Sequence, residues 1–401
     1  MKELTLKNIF FNKISIFVIF FILLLDNCYM GFNSYLDYFV KYSSLIIAIL
    51  LLIIYIFDKN KNKFINVFLL YGVSIFISCC LGTFSNIKNF IGTYSSIIAM
   101  CLYLNYAIVY KCKESIKTLN NIYLLLIIIN FCTLLIFPKG MYKTSLYSTN
   151  WFFKYDNVHM YMYFPAMLIG YINLQMQDND KKLKIVWFME IFLVAFGVLF
   201  CHSATTMVSC AVLVIYLLCK KAINTRYFFN AKNYLIIYVV TFFTIVVYRL
   251  QNIFSWFIVG VLKKDLTFTT RTVLWDRIVK YIYEKPIIGY GIENTEVFRK
   301  KMKGEFYTHA HNTTYDILYK GGILALFFHI VLLIESAIEL CRYRNNEISR
   351  VASIFFFGVL ITMNFEAREE KMGLYIILYI CFSIGTFVKN ALNNKGEVNE
   401  K

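Results

Sequence analysis

Residues 37–63 read DYFVKYSSLIIAILLLIIYIFDKNKNK, an apolar run that ends in three lysines, Lys59, Lys61 and Lys63. About twenty residues of this kind cross a bilayer as a helix. The pattern continues in both directions. Apolar runs fall near 10–28, 37–57, 64–82, 90–110, 119–137, 158–175, 184–201, 203–219, 233–250, 320–340, 350–365 and 371–388. Basic residues collect in every second connection. Lys2, Lys7 and Lys13 precede the first run, Lys111, Lys113 and Lys117 follow the fourth, and Lys181, Lys182 and Lys184 follow the sixth. Lys220, Lys221, Arg226 and Lys232 follow the eighth, Arg342, Arg344 and Arg350 the tenth, and Lys389, Lys395 and Lys401 the last. The alternate short connections carry few, Lys88 being alone after the third run. Cations are retained on the cytoplasmic side, so this alternation places both termini there.

Bulk composition agrees. The 401 residues are 59% hydrophobic and only 16% charged, too few charges to cover a water-facing surface. The net charge of +17 follows the connections and gives no reason to expect nucleic acid. Met1 to Leu25 has a basic start and an apolar run but no A-x-A cleavage site, so it reads as an uncleaved first span. The 11 cysteines have neither the spacing of a zinc site nor a place in the long loop. The expectation is an all-α polytopic membrane protein of about twelve transmembrane helices. Nine lie in 1–250, a large extracytoplasmic loop in 251–313, three more in 314–390, and a cytoplasmic tail in 391–401.

The long loop carries ten basic residues against six acidic ones, on the side where cations are disfavoured. An anionic ligand at the outer surface is one explanation, and attraction to lipid head groups is another. Within it, Thr270 to Lys285 reads as a helix ended by Pro286, with Leu274, Trp275, Ile278 and Ile282 at helical spacing. Its apolar stripe is expected to lie on the membrane with Arg271 and Arg277 at head-group depth. Thr313 and Asp316 have capping-box spacing before the run from Ile317 to Leu333, so a helix is expected to begin at Thr313. His309 and His311 then stand just before a helix N-terminus, where free N–H groups favour an anion. A neutral imidazole there could take a proton from a sugar hydroxyl. The topology also puts His159 and His202, two more of the five histidines, at the outer membrane end, with His329 packed inside a span.

Several of these residues carry a family likeness. Thr270-Arg271-x-x-Leu274-Trp275, Lys285-Pro286-Ile287-Ile288-Gly289-Tyr290-Gly291, and His309-Ala310-His311-Asn312 followed by Gly321-Gly322-Ile323 resemble the O-antigen ligase and polymerase superfamily. That family shows G-R-x-x-x-W, P-x-x-G-x-G and H-x-H-N or H-N stretches in this order. Asn157-x-His159 with Pro165 is similar to its outer asparagine motif, and Cys201-His202-Ser203-Ala204 to its small-residue turn. The resemblance implies a multi-pass glycosyltransferase of the bacterial cytoplasmic membrane that needs neither cofactor nor metal. Its substrate would be an undecaprenyl-diphosphate-linked oligosaccharide, its surroundings membrane lipid, and flippase and chain-length regulator proteins its candidate partners. His311 would be the general base and Arg271 the diphosphate ligand. Arg277, Arg249, His309, Asn312, Asn157, His159 and His202 would line the substrate site. Where many members have Ser-Arg, this chain has Ser203-Ala204, so the second diphosphate-binding arginine is unassigned and Arg249 is the candidate. Two departures stand out: this one, and Thr270 in place of the family's glycine. Heavy Lys, Asn and Ile usage and the Ser203-Ala204 departure favour a repeat-unit polymerase for capsule, exopolysaccharide or O-antigen. A ligase to another acceptor is the alternative within the family, and a lipid-linked oligosaccharide transporter the alternative outside it. Glu190, Glu335 and Glu339 are expected near cytoplasmic helix ends, which argues against a carrier.

Overall fold

The computed structural model describes residues 10–29, 31, 33–144, 147, 149–177, 180–201, 207, 210–211, 230–261 and 270–394. His202, Ser203 and Ala204, most of the expected span at 203–219 and residues 395–401 of the expected tail lie outside them. Among the described residues the chain is helical, with two isolated bridges, Tyr142 with Asn150 and Trp151 with Lys154. The helices are α1 (Lys13–Leu25), α2 (Ser34–Phe57), α3 (Lys63–Cys80), α4 (Phe84–Ile136), α5 (Met160–Met176) and α6 (Lys181–Cys201). They continue with α7 (Ala231–Thr241), α8 (Arg271–Glu284), α9 (Thr295–Met302), α10 (Thr313–Arg342), α11 (Glu347–Met363), α12 (Met372–Phe382) and α13 (Ile384–Asn394). Asparagine starts many of them. Asn12, Asn33, Asn62, Asn230, Asn312 and Asn346 each accept a backbone N–H of the first turn, which gives the asparagine-rich composition a structural role.

Among the described residues five helices, α2, α3, α4, α6 and α10, are individually long and apolar enough to cross a membrane, and the pair α12–α13, bent by 57°, makes a sixth. Twelve were expected, and α4 accounts for part of the difference. Its Lys111 has non-helical angles, and Ser115 Oγ donates to Ala107 O at 3.0 Å. Eight residues of continuous helix would separate those groups by about 12 Å, so the chain turns sharply at the lysines expected to form a connection. α5 and α11 are only 17 residues each, and α1 is 13. All of α5 except Gln175 is buried, as suits a helix surrounded by protein. On α2 and α6, by contrast, Ile46, Ile53, Phe188 and Phe192 are exposed, an apolar outer face that suits lipid. Glu190 is not near a helix end as expected. It lies midway along α6, fully buried beside Gly170 and Asn120.

α10 starts at Thr313 as expected, but the cap differs. Asn312 Oδ1 accepts from Tyr315 N, while Asp316 turns back to accept from Ala310 N at 2.8 Å. The helix then breaks at Gly322, whose φ of 63° and ψ of −164° suit glycine alone. A break inside a buried helix leaves backbone groups unpaired. Here residues 286–291 run alongside and pair them. Tyr290 and Gly291 donate to Tyr319 O and Lys320 O, both at 2.8 Å, and Ile323 and Leu324 donate to Pro286 O and Ile287 O. A Cβ on Gly322 would lie 2.2 Å from Ile287 C, and one on Gly289 2.6 Å from Tyr319 O. Two separate glycine motifs in the sequence are therefore the two halves of one backbone lock.

The expected surface helix is also different. Leu274, Trp275 and Ile278 of α8 are buried with Phe298, Met302, Ala310, Tyr315 and Tyr319. The stripe therefore packs on α9, α10 and the histidine loop rather than on the membrane. The indole N–H explains part of this: Trp275 Nε1 needs an acceptor and finds Ala310 O at 2.9 Å.

Candidate active site

Ala310, the residue between the two histidines, is held on both sides. Trp275 donates to its carbonyl and Asp316 accepts its N–H. Asp316 is itself paired with Lys320, and Lys320 reaches Glu369 at 2.7 Å and Glu370 at 2.6 Å. Burial, then the charge of Asp316, hold the Glu369 carboxyl well above the usual range. His311 takes a left-handed backbone, φ 50°, between these anchors. The segment after α11 is stitched to the same place. Asn312 Nδ2 donates to Asn364 O at 3.0 Å, Thr313 Oγ1 to Glu366 O at 2.8 Å, and Arg368 N to Thr313 Oγ1 at 3.0 Å.

These fixings bring Glu366 against the histidines. Its Oε2 is 3.2 Å from His311 Nδ1 and 3.7 Å from His309 Nε2, and its Oε1 is 2.7 Å from Arg271 Nη2. Arg271 Nη1 also donates to Phe365 O, and Asn157 Nδ2 to Glu366 Oε1 at 3.3 Å. Burial alone would raise the Glu366 carboxyl. The Arg271 guanidinium and the hydrogen bonds of His309 and His311 outweigh it and hold the group well below the usual carboxylate range. Burial and then the neighbouring His311 push His309 down to about 4, so it is neutral at ordinary pH. The His309 and His311 rings are 4.1 Å apart, and His309 Nδ1 is 2.7 Å from Thr308 Oγ1. A carboxylate on Nδ1 of His311 fixes the tautomer that leaves Nε2 as a base.

The structure thus gathers Arg271, His309, His311 and Asn157 around one carboxylate. Among the described residues, it does not gather the others. Arg277 donates to Met302 O and Lys303 O, closing the C-terminus of α9. Arg249 pairs with Asp276 at 2.7 Å and lies over the Trp275 ring, 5.1 Å from its centroid. His159 is interior: its Nε2 is 3.2 Å from Lys154 O, and its Nδ1 is 3.4 Å from both Asn130 Nδ2 and Tyr163 Oη. Asn312 is fully buried in its capping role. His329 is buried against Tyr71, without a hydrogen-bond partner among the described residues. Glu366 is the residue that sequence reasoning missed. The signal was present, since five of the six residues from Glu366 to Lys371 are charged, between two apolar runs.

His309, His311 and Glu366 offer ligand atoms within 4.8 Å of one another, a spacing that could hold a metal ion. The same carboxylate already faces Arg271. A cation placed between the imidazoles would therefore sit close to a guanidinium, which opposes it.

Residues 190–330 match the family model described as O-antigen ligase, which confirms the superfamily resemblance read from the motifs. Over 179 residues the chain is 24% identical to the ComP-specific O-oligosaccharyltransferase of Acinetobacter baylyi. That match takes in 41% of this chain and 31% of the relative. The family segment contains Arg271, His309, His311 and the helix break, and it ends before Glu366 and Arg368.

Proposed function

We propose that this chain is a membrane glycosyltransferase acting at the outer face of the bacterial cytoplasmic membrane. It moves a saccharide from an undecaprenyl-diphosphate-linked donor onto a sugar hydroxyl. Repeat-unit polymerisation for capsule, exopolysaccharide or O-antigen is the form we favour. The supporting observation is His311 Nδ1 on Glu366 Oε2, with Arg271 on the opposite oxygen. In this reading His311 Nε2 takes the acceptor proton while the hydroxyl oxygen attacks the anomeric carbon. The bond from that carbon to the diphosphate breaks, and the lipid diphosphate leaves with the electron pair. A diphosphate is a good leaving group, and guanidinium groups can stabilise it without a metal.

A transfer of finished glycan to another acceptor is the second reading, and the oligosaccharyltransferase among the relatives favours it. Glu190, buried midway along α6, would suit a carrier. A carrier gives no account of the imidazole–carboxylate–guanidinium arrangement.

The test is His311→Ala in cells, with glycan length and lipid-linked intermediates measured together. Loss of polymer with accumulation of single lipid-linked units supports a polymerase. Accumulation of finished lipid-linked glycan supports the second reading. Normal long polymer from both His311→Ala and His309→Ala would remove the catalytic reading. Chelation with EDTA should leave the rate unchanged, and a rate restored only by added metal would reverse the metal-independent assignment.

A further inference from the structure

Three carboxyl groups converge on one ammonium behind the histidine loop. Lys320 Nζ contacts Asp316 Oδ2 and lies 2.7 Å from Glu369 Oε1 and 2.6 Å from Glu370 Oε1. The Asp316 and Glu369 side chains are 0% and 1% exposed, whereas Glu370, at 24%, reaches solvent. The Asp316 and Glu369 carboxyls are also in hydrogen-bond contact with each other. Ionised carboxylates only accept, so a contact between two of them needs a proton. Two like charges that close in a desolvated place do not both ionise.

The donors around the pair decide which group holds the proton. Asp316 already accepts two: Ala310 N at 2.8 Å on Oδ1, and Lys320 on Oδ2. Such donors stabilise the charged form. Glu369 accepts Lys320 on Oε1 at 2.7 Å, and its Oε2 is buried without a donor. The other groups facing the pair do not reverse this. Glu370 adds negative charge, and Tyr71 of α3, Tyr94 of α4, Tyr161 of α5 and Tyr375 of α12 add no cation. Tyr94 and Tyr375 donate to the Glu369 backbone oxygen, at 3.3 and 2.8 Å. His309 acts on Asp316, and Lys371 acts on Glu369 through space.

We infer that Glu369 is a positioning residue: a neutral acid that donates its carboxyl proton to Asp316 and so clamps the 364–371 segment to the histidine loop. Asp316 fixes Ala310 between the two histidines, and the 364–371 segment carries Glu366, which orients His311. One proton therefore joins the two halves of the site. Its loss would put two anions in contact and drive those halves apart, giving transfer an upper pH limit set by a carboxyl. Folding raises the Glu369 carboxyl, so its contribution to stability is lost as pH rises above the ordinary carboxylate range. The effect on transfer rests on the transfer reading above, whereas the shared proton does not.

Full-length protein in detergent, with Glu369→Gln and Glu369→Leu, tests this. At neutral pH the infrared C=O band of a protonated carboxyl should be present in wild type and missing in Glu369→Gln. The Gln amide still donates to Asp316 but has no proton to lose. Its melting temperature should therefore fall less with rising pH than wild type, and its transfer in isolated membranes should persist to higher pH. Glu369→Leu removes the donor and should lower transfer about tenfold or more per folded molecule, the loss expected for a hydrogen bond to a charged group. An ionised glutamate serving only as a partner of Lys320 would show no such band, and Glu369→Gln would then melt lower at every pH. Either result overturns the clamp, as does a band that survives in Glu369→Gln. If His311→Ala makes normal polymer while the band difference holds, the transfer reading fails and the shared proton stands.

Discussion

Glu366 stands 3.2 Å from His311 Nδ1 through one oxygen and 2.7 Å from Arg271 through the other. One carboxylate thus orients the imidazole and anchors the guanidinium. Glu366→Gln keeps the shape but removes the charge, and it offers an N–H where one of the two partners needs an acceptor. We expect transfer to fall by at least about a hundredfold, at the lower end of what acid–base catalysis supplies. Protein abundance in the membrane should stay near normal. Glycan output per molecule of protein measures this, and output within a few-fold of wild type would release Glu366 from the site.

Arg271 makes two directional contacts with one fork, Nη1 to Phe365 O and Nη2 to Glu366 Oε1. Lysine offers a point charge and cannot make both contacts in this geometry. Arg271→Lys should therefore lose most activity, and Arg271→Ala all of it. Full polymer from Arg271→Lys would mean that charge alone matters there, as a lipid-surface role would have it.

The histidine pair also sets an acid limit. His309 sits at about 4 in the fold against an ordinary 6.5, with His311, Glu366 and Asp316 as its charged neighbours. Between those values the unfolded chain binds the proton and the folded chain does not, so stability rises with pH across that window. His309→Asn should flatten the melting temperature against pH between about 4 and 6.5, a change on the order of 1–3 kcal/mol. Glu366 acts lower down: its depressed carboxyl contributes stability above the usual carboxylate range, lost as pH falls below it. An unchanged slope in His309→Asn would show that His309 titrates normally.

The sequence made the membrane class legible because apolar runs and lysine placement are local signals. The helix start at Thr313 was legible for the same reason. What it could not show were contacts between distant segments. Glu366 lies 55 residues from His311 and belongs to no motif read along the chain. Trp275 read as part of a lipid-facing stripe because helical spacing reports an apolar face but not what covers it.

Thr270 shows a departure with a backbone consequence. The superfamily stretch that this one resembles has glycine before the arginine, and here Thr270 takes φ 66° just before α8. A β-branched residue is unfavourable in that region, by about 1–2 kcal/mol. Thr270→Gly should raise the melting temperature modestly and leave transfer intact. The gain will be reduced by loss of the Tyr307 Oη bond to Thr270 Oγ1, 3.1 Å in length. A lower melting temperature would show that this bond outweighs the strain.

Gly322 gives the most demanding test of the fold. Its backbone, φ 63° and ψ −164°, lies where only glycine is at ease, and an added Cβ would meet Ile287 C at 2.2 Å and Ile288 N at 2.5 Å. Those are backbone atoms, so the neighbour cannot swing away. Residues 286–291 would have to move, breaking the bonds from Ile323 to Pro286 O and from Tyr290 and Gly291 to Tyr319 O and Lys320 O. Lys320 in turn holds Asp316, which holds Ala310 between the histidines. Gly322→Ala should therefore destabilise by roughly 3 kcal/mol or more, combining backbone strain with overpacking. It should also lower transfer in the protein that still folds, because the histidine loop loses its anchor. Gly72→Ala and Gly92→Ala are the controls, since a Cβ at either meets nothing within 4 Å. Both positions are within helices, where alanine is favoured over glycine by about 0.5–1 kcal/mol. Melting in detergent should separate Gly322→Ala from this pair by a wide margin. If all three melt together, the two glycine motifs do not lock, and the route from the helix break to His311 is wrong.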